Sequence, residues 1–459
     1  MEPYQRNQLI IGAVVILTIA LGAGLWFCFI PGLSKCVAPP VQQEVVNLDF
    51  WNVFEDSDVY ASLIAKFNQQ YPNISVAYRK KEYDTYRADL KQAFMQGNGP
   101  DIFAIHNTWL PLEQKNIEPA PSSQLSFDDF QNRYPDVVRY DFAAQTGANQ
   151  ISPPRVYAIP LFVDTLALYY NRTYFHNNTL IDPPKTWDDF VTYVKKLTKY
   201  NASGNVDLAG VVMGTGKNIN RSTDILAMLM LQTGTRMTDD AQTKPTFADP
   251  VYDAQGKRFD PGLQALEFYT SFADKKSEVY SWSPDMHYSV DAFVAGDAAM
   301  MINYSYMIPT IQQKNRYLDF AVAPIPQPSD QRQKAAFANY WGLTVSKNSK
   351  HSDAAWQFIL FLAREENEKE YLTKVQRPTA LKSLIAWQDK NASDLLKPFV
   401  DQTLIARSWY MGDNVSTENA LITMIDSVAS GATAPADALG KAQNDISAIF
   451  QKVRRGVVQ

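Results

Sequence analysis

The stretch VNLDFWNVFEDSDVYASLIAKFNQQYPNISV, residues 46–76, restricts the fold more than any other part of the chain. It reads as a strand, a polar loop carrying an aromatic ring and two acids, an amphipathic helix and a second strand. Val59, Leu63, Ile64 and Phe67 recur at helical spacing, and Ser57 stands where an N-cap satisfies the first free amides. Such a unit belongs to an open α/β sheet, where loops beyond the carboxyl ends of the strands are the places that hold ligands. Trp51, Asn52, Glu55 and Asp56 then face a cleft. The alternative for this segment is an ordinary connection with a solvated acidic tip.

At 459 residues and 46% hydrophobic content the chain exceeds one ordinary domain and fills two packed cores, so two globular lobes are expected. A net charge of −5 without basic clustering excludes a nucleic-acid partner and suits a small neutral or cationic ligand. His106, His176, His287 and His351 are scattered, with neither a second histidine nor a cysteine at ligand spacing, so no metal site is expected. The glycine-bearing stretch GVVMGTGKN at residues 210–218 is out of register for a phosphate loop, and no GxSxG elbow occurs. No catalytic residue and no cofactor is assigned.

Residues 9–30 carry no charge and have about the length a helix needs to cross a hydrocarbon core. Neither Cys28 nor Cys36 follows the small residue that a processing site demands. An uncleaved, single-pass transmembrane anchor is therefore expected, with the N-terminus inside and the body on the extracellular or periplasmic face. Residues 36–44 form a spacer, and the body beyond them has no cysteine.

Further along, strands are expected near residues 74–79, 101–106, 208–213, 298–303, 319–324 and 340–346. Ser126 with Asp129 and Thr186 with Asp189 have capping-box spacing, which explains these aspartates as helix caps rather than catalytic carboxylates. The apolar run YAIPLFVDTLALYY, residues 157–170, is too long for one strand and is interrupted by Pro160, so two strands meeting at a crossover are expected. Asp164 inside it needs a partner or a wet cleft, since burying an unpaired carboxylate costs several kcal/mol. Further connections are marked at residues 340–346 and 377–379.

These residues resemble a known family. LDFWNVFEDSD, GNGPDIFAIHNTWL, YAIPLFVDTLALYYN, PPKTWDDF, FVAGDAAMMINYSY and NYWGLTVSKNSK follow one another as in the extracellular solute-binding proteins of ABC-type importers, in the sugar-binding group that includes maltose-binding protein. The resemblance implies a two-lobed α/β fold of the periplasmic-binding-protein type II, with a hinge of about three crossover segments. Lobe one is then residues 45–160 with 342–379, lobe two residues 161–341 with 380–459, and residues 1–44 are anchor and spacer. It also implies ligand contacts at Trp51, Asn52, Glu55, Asp56, His106, Asn107, Trp109, Asp164, Tyr304, Tyr306, Trp341, Trp409 and Asn414. A neutral sugar offers hydroxyl edges and apolar C–H faces, which acids, amides and stacked aromatics fit.

The implied function is a membrane-tethered receptor that captures a small solute, a sugar or oligosaccharide, by lobe closure and delivers it to the permease subunits of an importer, without catalysis. Asp164→Ala is expected to weaken ligand binding with little change in melting, and a cationic cluster that a phosphorylated ligand would need is not evident. Two other classes stay open: a surface-anchored carbohydrate-processing enzyme, whose two acids need only be close in space, and a non-transporting sensor or adhesion module on the same fold.

Overall fold

The computed structural model describes residues 3–26, 45–145, 153–330 and 333–455. The N-terminal segment to Val45 and the body from Val46 are separate compact units. Pro3–Trp26 is a helix. Among the described residues no helix is long and apolar enough to cross a membrane. Residues 27–30, which end the expected span, both cysteines and the spacer lie outside the described residues.

In the body, the opening unit folds as its pattern dictates. Strand Val46–Asn52 pairs in parallel with Ile74–Lys80, Val46 opposite Ile74 and Asn52 opposite Lys80. The connecting helix Ser57–Gln70 buries Tyr60, Leu63 and Phe67, one face at helical spacing, against the sheet. Its N-cap position is Asp56 rather than Ser57, and the Asp56 side chain makes no capping bond. Ile102–His106 adds on the other side, followed by Trp341–Ser346, which returns antiparallel from more than two hundred residues later. Gly342 in that strand is required by crowding: a Cβ there would lie 2.6 Å from the Phe142 ring and 3.0 Å from the Ala158 Cβ.

A second core is built on Ala167–Asn171, flanked antiparallel by Met300–Asn303 and Phe320–Ala323. The helices Trp187–Leu197, Ser222–Gln232, Pro261–Ser271, Asn414–Ala429 and Pro435–Arg454 contribute buried side chains to it. Chain membership passes from the first core to the second between Val163 and Leu166, and back between Phe337 and Ala338. At this junction Asp164–Thr165, Ala336–Asn339 and Ala406–Arg407 form a small sheet of their own. The run at 157–170 thus resolves into three short strands, Ile159–Pro160, Asp164–Thr165 and Ala167–Asn171, rather than two.

Local chemistry decides several other expectations. Ser126 accepts from the Asp129 amide, and Thr186 with Asp189 makes a complete capping box. The strand expected at 208–213 stops early, as Val206–Leu208. The Gly-bearing turn after it holds a side-chain carboxylate, since the Gly216 amide donates to Asp426 Oδ1 at 2.6 Å, which leaves that amide no place for a phosphate.

Candidate functional site

The register of the large sheet sets His106 directly opposite Trp341. The turn after His106 then brings the Trp109 ring edge-on to Trp341 at 4.9 Å, while Tyr86 lies nearly parallel to Trp109 at 6.5 Å. Phe54 meets Trp341 edge-on at 5.4 Å. Edge-to-face and offset contacts are the arrangements aromatic rings favour, so this wall is preformed. Beside it, His106 Nδ1 lies 2.8 Å from Thr108 Oγ1, and burial, aided by the charge of Arg221, lowers its pKa to about 3. His106 is therefore a neutral hydrogen-bonding group near pH 7 and not a proton shuttle.

The loop after the first strand splits its four candidates. Trp51 and Asn52 are successive strand residues and point to opposite faces. Trp51 donates its indole N–H to Asp49 at 2.9 Å and carries the Lys81 ammonium 4.1 Å over its ring. Asp56 is exposed and pairs with Lys80 at 2.8 Å. Asn52 turns inward and donates to Glu55 at 2.9 Å and to the Tyr60 hydroxyl at 3.0 Å, while Tyr371 donates to the other Glu55 oxygen at 2.8 Å. Burial raises the Glu55 pKa against these bonds. Asn52, Glu55, Phe162 and Tyr371 line, with Trp341, a cavity of about 10 Å³, hardly room for one water.

Asn107 faces inward too. It donates to Asp141 at 2.9 Å, Tyr340 donates to the same carboxylate oxygen at 2.6 Å, and Ser408 donates to the other. Asn107 thus braces the wall against the segment that leads into the second core. Burial pushes Asp141 up to about 7 and Glu368, elsewhere in the first core, up to about 8. Both acids keep their protons in the folded state between pH ~4, where an unfolded carboxyl titrates, and these values. The native state then binds more protons than the unfolded one, so stability falls as pH rises through this window. Melting measured from pH 5 to pH 8 is expected to drop by several degrees, at about 2–4 °C for each kcal/mol. Asp141→Asn is expected to flatten the drop, and an unchanged profile in that variant would remove the assignment.

The second lobe presents a different surface. Tyr304 is fully buried and donates to Asp224 at 2.8 Å, with Tyr306 stacked on it at 5.9 Å. Arg221 lies within 5.7 Å of both rings, donates to the Tyr306 hydroxyl at 2.9 Å and pairs with Asp224 at 3.9 Å. Its backbone takes φ +65°, a conformation that non-glycine residues adopt rarely, immediately before the buried helix Ser222–Gln232. Neither Arg221 nor Asp224 was singled out from sequence. The available signal was an acid in the first turn of a helix that is otherwise almost wholly apolar.

Between the lobes, Asp164 accepts from the Ser305 amide at 3.1 Å, the Ser305 hydroxyl at 2.7 Å, the Thr165 amide at 3.0 Å and Arg377 Nη1 at 3.3 Å. Its partner requirement is met inside the protein. The expectation that Asp164→Ala leaves melting unchanged is corrected accordingly, because that change removes the acceptor for all these donors. Trp409 is buried in the second core, its ring 6.4 Å from Phe247. Asn414 reaches across instead, accepting from Thr108 Oγ1 at 2.6 Å, and its neighbour Asp413 pairs with Arg87 at 3.0 Å. The two walls therefore touch at the mouth. The arginines brought here were not foreseen, yet Arg87, Arg221 and Arg377 each pair with an acid.

The aromatic cluster around Trp341 packs on the first core and the tyrosine and guanidinium cluster on the second, on either side of a junction held by hydrogen bonds. Among the described residues no group of three or more His, Cys, Asp or Glu is placed to hold a metal. Residues 54–369 match the family described as bacterial extracellular solute-binding protein. The chain belongs to that family. It is 21% identical to a multiple sugar-binding protein of Streptococcus mutans, over 87% of this chain and 90% of that one. It is also 21% identical to a galactooligosaccharide-binding protein of Bacillus subtilis, over 86% and 87% of the two chains. Its fold is similar to that of the sugar-binding protein MalE of Xanthomonas citri, with a TM-score of 0.72 and 19% identity, covering 90% of this chain and 99% of the other. This solute-binding protein is accordingly a two-lobed α/β receptor in a family of binding proteins.

Proposed function

We propose that this solute-binding protein captures a neutral sugar or oligosaccharide between its lobes and presents the closed form to the permease subunits of an ABC importer. The observation that carries the reading is the preformed wall of Trp109 and Trp341 beside His106, on which the charge of Arg221 next to Tyr306 acts, with Arg87, Arg221 and Arg377 each matched by an acid. Rings supply apolar faces for sugar C–H groups and the polar edges supply hydroxyl partners, while the balanced charge disfavours an anionic ligand. The names of the relatives, both sugar-binding, support the same class.

Closure follows from the placement of the contacts. A ligand touched by both walls binds the shut form better and shifts the population toward it by that difference. Residues 45–160 with 342–379 and residues 161–341 with 380–459 move as the two lobes about roughly three crossovers; the packing changes core between Val163 and Leu166 and between Phe337 and Ala338, so residues 161–163 and 338–341 go with the first lobe. The tether belongs to the same reading and rests on the uncharged residues 9–30. The full chain is expected to stay in the membrane pellet through a carbonate wash, and release into the wash would remove the tether.

Titration of the full chain in mild detergent with neutral mono- and oligosaccharides, followed by tryptophan fluorescence and by chromatography of the recovered sugar, tests the function. A saturable signal with the sugar recovered intact is expected. Recovery of cleaved product would favour the carbohydrate-processing enzyme instead.

A further inference from the structure

The mouth is crossed by bonds that the two lobes make with each other. Arg87, on helix Tyr86–Met95 of the first core, pairs through Nη1 with Asp413 Oδ2 at 3.0 Å, and Thr108 donates to Asn414 Oδ1 at 2.6 Å. Asp413 and Asn414 open helix Asn414–Ala429, which packs on the second core. The guanidinium has a second acid within reach on its own side, since Nε lies 4.0 Å from Glu113, at the end of the short helix that follows Trp109. Its Cζ sits 5.2 Å from the centre of the Trp109 ring, a cation–π contact that holds the side chain at the gap. Asp413 is fixed from the other side, where its Oδ1 accepts from the Ser416 amide at 3.0 Å. Burial raises the Asp413 pKa, but the bonds from Ser416 and Arg87 outweigh it and keep the group below the usual carboxylate range. Each partner is therefore charged and held by its own lobe. A guanidinium with acids on both sides of a moving gap has one partner when the lobes part and two when they meet.

We propose that Arg87 is a self-latch: passing from Glu113 alone to Glu113 and Asp413 together, it biases the lobes toward the shut form through a contact that needs no ligand. A bond between the lobes favours closure whatever lies between them, and a ligand adds its own preference to that bias. The attraction joins charges that separate into water on opening, so it weakens as ionic strength rises. A neutral sugar has no charge to screen, and a salt-dependent closure thus reports the latch. This inference rests on the lobe-closure part of the reading above and not on the identity of the ligand.

Pulsed electron paramagnetic resonance of the full chain in mild detergent, with no sugar added, tests it. Cys28 and Cys36 are changed to serine, and spin labels are placed on Glu82→Cys and Asn419→Cys. Both sites are exposed, Glu82 just after strand Ile74–Lys80 of the first lobe and Asn419 on helix Asn414–Ala429 of the second. The ratio of short to long distances is expected to fall about three- to fivefold between about 20 mM and about 500 mM sodium chloride, the order of one ion pair. Asp413→Asn at low salt is expected to lower it by the same factor. Asparagine caps a helix as well as aspartate does, so unchanged melting of this variant shows an intact fold. Arg87→Met combined with Asp413→Asn is expected to do no more than either change alone, as befits one shared bond. A ratio unchanged in Asp413→Asn overturns the latch and leaves lobe closure standing. One fixed distance in every sample overturns both.

Discussion

Trp341→Ala is expected to lower the stability of the body by about 3–5 kcal/mol and to weaken sugar binding by at least a hundredfold. The indole touches Phe54, Tyr83, Tyr86, His106 and Trp109, so its removal opens a cavity and frees every ring that it positions. Both effects arise at one residue because the strand that carries it is simultaneously the antiparallel partner of Ile102–His106 and the floor of the wall. Trp341→Phe keeps an aromatic face and is expected to recover part of each. Denaturant titration read beside calorimetry checks the pair of effects, and affinity within about twofold of the original in the alanine variant would place the ligand elsewhere.

The second large effect concerns the clasp at the junction. Arg377→Ala leaves the Asp164 carboxylate, itself about 1% exposed, without its cationic partner. Removing one member of such a buried pair costs about 3–5 kcal/mol, and the remaining donors from Ser305 and Thr165 put this case at the lower end. The Asp164→Asn change in the same background removes the uncompensated charge while keeping an acceptor, and it is expected to restore more than half of the loss. A double-mutant cycle in urea measures this coupling. Additive losses would show that the two side chains act independently. Because Arg377 also lies 5.6 Å from the Tyr306 ring, the single variant is expected to weaken binding as well, through a displaced Tyr306.

Much of this architecture was readable because local pattern and global fold agree. The caps at Ser126 and Thr186 and the strand ending in His106 each follow from residues within a few positions of one another, as does the helix face, where Leu63 and Phe67 are buried as read while Tyr60 takes the deep position and Val59 and Ile64 are only partly buried. The candidate site was legible only where a motif carries its own geometry. Trp109 and Trp341 come together because Trp341 opens the strand paired with Ile102–His106 and Trp109 lies in the turn that follows His106. Trp51 and Asn52 could have been separated beforehand, since neighbours in a strand point to opposite faces. Glu55 could not, because the hydroxyl of Tyr371 that engages it lies 316 residues away. Arg377 and Asp164 are 213 residues apart, and the hydrogen bond from Arg221 to Tyr306 spans 85. Such pairings are set by how the two cores dock, which no local periodicity encodes.

Lobe closure itself can be read at the mouth, where Arg87 meets Asp413. Ala88 and Val415 are exposed beside these partners, on helices Tyr86–Met95 and Asn414–Ala429 that pack on the first and second cores respectively. With Cys28 and Cys36 changed to serine, spin labels on Ala88→Cys and Val415→Cys report the opening of the cleft by pulsed electron paramagnetic resonance. A broad, longer distance without ligand that collapses to a short, narrow one as a neutral oligosaccharide saturates the protein is the predicted result. One fixed distance, the same with and without a sugar that calorimetry shows to be bound, would contradict capture by closure.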